Sequence, residues 1–237
     1  MKEDKLWLVI CCVVCLCVVF LSYAGSYAVT ALSENMSNIH NNTIVIDAGH
    51  GGEDGGALSP DGVPESQYNL NIALRLEQLF HLLGVPTIMV RTEDVSVYTE
   101  GKSLAERKRS DLKERTRIAN NPNSILLSIH QNNFPDGRYS GAQVFYSKTA
   151  GSKELAESLQ HNLIQSLNKT SNRAIKKTDG IYLMEHVKNP AVLIECGFLS
   201  NDREELLLRT PEYQKKLSSV IAVTVKNYMD ELDQANA

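Results

Sequence analysis

The chain has 237 residues, 43% of them hydrophobic and 22% charged, with 14 Gly, 7 Pro and a formal net charge of −4. Collagen-like, low-complexity and disordered chains are excluded, because there is enough apolar material to offset chain entropy and no excess of Gly or Pro. Nucleic acid is also disfavoured as a partner: 24 basic residues against 28 acidic ones leave no strongly basic footprint.

The first element is an uncharged apolar run from Leu6 to Leu21. It predicts a membrane anchor or signal segment over residues 1–25, with Trp7 and Tyr23 at the interfaces. Ser22-x-Ala24 and Ser26-x-Ala28 resemble cleavage sites, but in Met1-Lys2-Glu3-Asp4-Lys5 the acids cancel the lysines. An uncleaved anchor is therefore preferred, and either outcome sends the rest of the chain out of the cytoplasm. Cys11, Cys12, Cys15 and Cys17 all lie inside this run, where they read as small hydrophobes in lipid rather than as a Cys12-x-x-Cys15 metal site. No small residue precedes them in lipobox fashion. Only Cys196 remains elsewhere, so no intrachain disulfide is expected in the folded part.

Residues 26–42 read as a polar linker, and residues 43–237, about 195 in all, as one domain without internal repeats. Thr43 to Asp47 is a β-branched run that enters a Gly-rich stretch, which predicts a buried strand and a loop. A helix follows Pro64, with Leu70, Ala73, Leu76, Phe80 and Leu83 at helical spacing and Gly84 as its stop. Thr87 to Arg91 predicts a second strand, Leu104 to Asn120 a basic helix, Ser124 to His130 a third strand and Ala142 to Tyr146 a fourth. Ser152 to Leu167 is amphipathic, and Ala191 to Glu195 is an apolar strand closed by its one charge. In the last helix Thr210 is the expected N-cap, Pro211 opens the first turn, and Leu217, Ile221, Val225 and Tyr228 share a face. This alternation predicts an α/β domain with a mostly parallel, twisted sheet covered by helices on both faces and ligands beyond the carboxyl ends of its strands.

Three predicted strands end in residues able to bind metal or move protons: the first runs into His50, the third ends at His130 and the last at Glu195. Glu65 opens the helix after the first strand and can point back to the same edge. Two histidines and two carboxylates gathered there match a His₂Glu metal site with one free carboxylate. Blander readings stand beside it: His50 as a turn histidine among Gly49, Gly51 and Gly52, and Glu65 as a helix N-terminal acid. A phosphate-loop reading of Gly49 to Gly56 fails, because Asp54 stands where the third glycine is needed and no G-K-[ST] follows.

These residues resemble the zinc-dependent N-acetylmuramoyl-L-alanine amidases. The motifs occur in order: Ile46-Asp-Ala-Gly-His-Gly-Gly-Glu-Asp-Gly-Gly-Ala57, Glu65, Arg91-Thr92, Arg115 with Ala119-Asn120, Ser128-Ile-His-Gln-Asn132, and Pro190 to Asn201. The resemblance spans about Ile44 to Tyr228. It implies that His50, Glu65 and His130 bind Zn2+, that Glu195 is the catalytic carboxylate, and that the substrate is the amide between the lactyl group of muramic acid and L-alanine of the stem peptide. The stretch Gly180 to Met184 and the single domain behind an apolar N-terminus resemble the germination-specific branch of spore formers. That branch implies a role in muramic δ-lactam formation in spore cortex and an extracytoplasmic location, membrane-anchored or secreted, such as the intermembrane space of the developing spore.

Arg91 and Arg115 are candidates to pair with stem-peptide carboxylates or lactyl oxygen, or to form structural ion pairs. Asn132 is a candidate to hold substrate or orient His130, and Asp47 to support the ligands. The basic run from Arg107 to Arg117 reads first as a solvated face. A thiol hydrolase using Cys196 and a non-catalytic peptidoglycan-binding protein are the rival readings. Along a strand, Cys196 should point away from the side that Glu195 serves. Besides peptidoglycan and the membrane, an accessory protein stays open as a partner.

Overall fold

The computed structural model describes residues 42–235 together with 16, 17, 19, 20, 22 and 23. Those six N-terminal residues are helical. Most of the expected anchor and the polar linker lie outside the described residues, among which no helix is long and apolar enough to cross a membrane. Residues 1–39 and 40–237 form two separate units, and the following concerns the second.

It comprises β1 (Thr43–Ala48), α1 (Glu65–Leu82), β2 (Thr87–Met89), α2 (Leu104–Ala119), β3 (Ser124–Asn132), β4 (Gln143–Tyr146), α3 (Ser152–Leu167), β5 (Lys176–Lys177), α4 (Tyr182–His186), β6 (Ala191–Phe198), α5 (Asp202–Arg209) and α6 (Pro211–Ala235). The six strands form one sheet in the order β2-β1-β3-β6-β4-β5. β2, β1, β3 and β6 are parallel neighbours, whereas β4 runs antiparallel to β6. The reversal has a simple cause. Residues Asn133 to Ala142 after β3 contain no helix, and a strand entered from the edge its predecessor left must run backwards.

Alternation along the strands makes two cores. Ile44, Ile46, Leu127, Ile129, Val192 and Ile194 point to the larger one, covered by α1, α3 and α6. Val45, Leu126, Ala191 and Leu193 point to the smaller one, shared with Leu183 and Met184 of α4, and α2 packs on this side as well. In α6, Leu217, Ile221 and Val225 are fully buried at helical spacing, each stabilising by about 1.5–3 kcal/mol relative to exposure. Thr210 Oγ1 accepts from Tyr213 N at 3.3 Å, as the capping pattern requires.

Differences from the sequence reading are small and local. β3 continues past His130 to Asn132, with a register shift against β6 between those residues. The short elements α4, β5 and α5 were not predicted, because pieces of two to eight residues carry too few turns of period to register.

Candidate metal and catalytic site

The carboxyl ends of β1, β3 and β6 lie on one edge because these strands are parallel, and His130 pairs directly with Glu195 in the β3–β6 register. β1 delivers Gly49 and His50, and α1 begins with Glu65. The ligating atoms of His50, Glu65 and His130 lie within 4.8 Å of one another. Glu65 sits between the imidazoles: its Oε1 is 2.9 Å from His130 Nδ1 and its Oε2 is 3.3 Å from His50 Nε2. The two rings meet edge to face, centroids 5.0 Å apart.

Burial alone would raise the Glu65 carboxyl, but the hydrogen bonds and charges of His130 and His50 hold it well below the usual carboxylate range. Burial alone would lower His50, yet Glu65 and Asp54 outweigh it and lift the imidazole to about 9. The cluster therefore favours positive charge between its donor atoms. Two imidazoles and one carboxylate, beside a cavity, suit a zinc site with three protein ligands and an open position.

Three residues not singled out from sequence support this arrangement. Asn69 Nδ2 donates to Glu65 Oε1 at 3.2 Å and to Gly49 O at 3.1 Å. Gln131 N donates to Glu65 Oε1 at 3.1 Å. Asp54 Oδ2 lies 3.1 Å from His50 Nδ1, which leaves Nε2 turned to Glu65. Only Asp54, four residues from His50, had a signal to read, since a carboxylate beside a ligand histidine is a common orienting device.

His50 has φ +60°, unusual for a residue with a Cβ. Arg115 and Arg91 hold that backbone. Arg115 donates to Ala48 O at 3.0 Å and His50 O at 2.6 Å, and Arg91 to Ala48 O at 2.8 Å, Gly49 O at 3.1 Å and Ser66 O at 2.9 Å. Each arginine is only 3% exposed. Of the two roles the sequence allowed, the structural one is visible here: the guanidinium donors go to carbonyls and to Asp47 and Asp111 and fasten the loop, while Arg115 also lines the adjoining cavity. Asp47 takes the Arg115 guanidinium and the Ser128 hydroxyl, the latter at 2.7 Å. Asn132 lies past the register shift at the end of β3; its carbonyl accepts from Leu199 N at 2.8 Å.

The adjoining cavity has a volume of about 290 Å³. His50, His130 and Glu195 line it together with Tyr98, Arg107 and Lys108, so two cations of the basic helix α2 border the site while Lys108 stays half exposed to solvent. They are paired with acids of the His50 loop, Arg107 with Glu53 at 2.8 Å and Lys108 with Asp54 at 3.1 Å. Glu195 Oε2 is shielded from solvent and has no hydrogen-bond partner among the described residues. Burial, with Glu65 adding to it, pushes this carboxyl up to about 7 against the opposing pull of His130 and His50. Cys196 faces the larger core, fully buried, and burial followed by the neighbouring Glu195 pushes its thiol far up. A thiol kept protonated is a poor nucleophile.

Comparisons with known proteins agree with this geometry. Residues 44–227 match the family described as N-acetylmuramoyl-L-alanine amidase. The chain is 39% identical over 191 residues to the germination-specific N-acetylmuramoyl-L-alanine amidase of Bacillus subtilis (strain 168), covering 79% of this chain and 80% of that one. Among solved structures, the CwlD amidase from Clostridioides difficile, in complex with the GerS lipoprotein, superposes with a TM-score of 0.76 at 42% identity, covering 80% of this chain and 99% of that one. An N-acetylmuramoyl-L-alanine amidase from Clostridium difficile 630 superposes with a TM-score of 0.68 at 32% identity, covering 81% and 98%. By the match over residues 44–227 and by these relatives, this chain belongs to the N-acetylmuramoyl-L-alanine amidase family.

Proposed function

We propose that this protein hydrolyses the amide between the lactyl group of N-acetylmuramic acid and L-alanine of the stem peptide, with His50, Glu65 and His130 holding zinc and Glu195 carrying the proton. The observation that supports it most is the gathering of three ligand atoms within 4.8 Å beside a cavity into whose lining an unpartnered carboxylate, Glu195, is built. Zinc in a site of this donor set supplies a Lewis acid and a water whose pKa is lowered towards ~7.

The protein's own groups do the rest. Glu195 Oε2, free of other partners, accepts a proton from the attacking water and returns it to the departing alanine nitrogen. Burial raises this carboxyl from the ordinary carboxylate range, which suits a group that both takes and returns a proton, and such catalysis contributes about 10²–10⁴-fold. Asn69, Gln131 and Asp54 orient the ligands, while Arg91 and Arg115 fix the loop that carries His50.

Similarity to a germination-specific relative supports a role in spore cortex, where peptide removal leaves muramic acid able to close its δ-lactam. The same reading places the domain outside the cytoplasm, behind the apolar N-terminal segment. The structure of a related amidase with a lipoprotein supports an accessory protein as a partner. The test is metal dependence: a chelator should stop release of stem peptide from peptidoglycan and one equivalent of zinc should restore it. Undiminished release in excess chelator would overturn the zinc assignment.

A further inference from the structure

The loop Asn133 to Ala142 carries a feature that the metal site does not use. It follows the ligand strand β3 and leads into β4, where Gln143 pairs with Glu195. Its last residues thus stand one or two positions from the level of Glu195, about 3–7 Å along the strand. The loop is fixed at several points. Phe134 N donates to Ser200 Oγ at 3.1 Å, Asn201 Nδ2 to Gly137 O at 2.7 Å, and Gly141 N to both oxygens of the buried Glu204.

Held in this way, the loop nevertheless presents two large aromatic side chains to solvent, Phe134 at 48% and Tyr139 at 47% exposure. They meet edge to face at 5.0 Å. Tyr139 stacks on Phe198, and the Arg173 guanidinium lies 4.4 Å from the Phe198 centroid, closing the back of the aromatic group. Beside it is a second cavity of about 330 Å³ with a largely polar wall that includes Arg138, Tyr139, Asn168 and Arg173. Arg173 is held on that wall by donating from Nε to Ser140 O at 2.7 Å and from Nη1 to Gln143 Oε1 at 2.9 Å. Exposed aromatic faces held next to a polar cavity suit a sugar. The C–H face of a pyranose packs on the ring, and its hydroxyls meet the polar wall.

We propose that Phe134, Tyr139 and the neighbouring polar cavity form a saccharide subsite that binds the glycan strand flanking the muramic acid under attack. This rests on the amidase reading above. The first cavity, with Arg107 and Lys108 of α2 in its lining, offers the stem peptide one side of Glu195, whereas the aromatic platform lies on the β4 side. The two ends of the substrate are thereby assigned to opposite sides of Glu195.

The test uses the full chain and two substrates, a peptide-bearing glycan oligosaccharide and a muramyl peptide with no flanking sugar. In the wild type, kcat/KM should be higher on the oligosaccharide. In Tyr139→Ala and Phe134→Ala, the ratio of the two values should fall about fivefold to tenfold, with Tyr139→Phe retaining most of it. Calorimetric titration with peptide-free glycan oligosaccharide gives a readout independent of turnover and should show weakened binding in the alanine variants. An unchanged ratio together with unchanged glycan binding would overturn the subsite. Loss that follows stem-peptide length on the muramyl peptide would overturn it in favour of a peptide site. Absence of cleavage of either substrate by the wild type, with glycan binding intact and sensitive to Tyr139→Ala, would instead count against the amidase reading alone.

Discussion

Gly49 shows how tightly individual residues are constrained at the site. A Cβ added there would lie 2.2 Å from His130 Nε2, in hard collision with the imidazole. Gly49→Ala must therefore displace His130 or the β1 loop, and we expect metal content of the purified variant to fall with its activity. Glu195→Gln should behave differently, keeping zinc near wild-type stoichiometry while losing activity by about 10² or more, because proton transfer is removed and ligation is not. Metal analysis beside the peptide-release assay separates the two, and zinc loss in Glu195→Gln would make Glu195 a ligand. Cys196→Ser should retain most activity with a modest cost in core packing, and the native thiol should resist alkylation until the protein is unfolded. His50, His130 and Glu195 were legible in the sequence because each closes or follows an apolar run. Asn69 and Gln131 were not, since their use depends on where α1 crosses the end of β3, which no spacing encodes.

The buried pair between Asp47 on β1 and Arg115 on α2 joins two elements. Burial alone would raise the Asp47 carboxyl, but Arg115, His130 and Ser128 outweigh it and hold it below its ordinary value of 3.8. A depressed carboxyl contributes stability that is present above its unfolded pKa and is lost as pH falls through the lower, folded one. Asp47→Asn leaves Arg115 buried with one partner fewer and should destabilise by about 3–5 kcal/mol at neutral pH. In urea denaturation at several pH values, the gap between variant and wild type should narrow below about pH 4; a gap independent of pH would contradict the ion pair. Sequence alone could place Asp47 and Arg115 at the ends of their elements but could not tell a substrate clamp from a fastener. The difference is burial, which only the packing of α2 on the smaller core decides.

Among the described residues, the larger core of the second unit is built from strands and helices within residues 43–229, and Cys196 is a free thiol. Residues 40–237 expressed alone should accordingly fold as a soluble monomer, checked by size-exclusion chromatography and a cooperative thermal transition. Aggregation under mild conditions would count against that boundary. The α/β class and the mostly parallel sheet were readable from the alternation of elements, whereas the reversed β4 depended on the absence of a crossover helix after β3. The most direct measurement is mass spectrometry of peptidoglycan digested with the full chain. The predicted products are stem peptides with a free N-terminal L-alanine, beside glycan strands bearing unsubstituted lactyl groups. Peptides cut between internal residues, or glycan cut at a sugar linkage, would contradict the assignment.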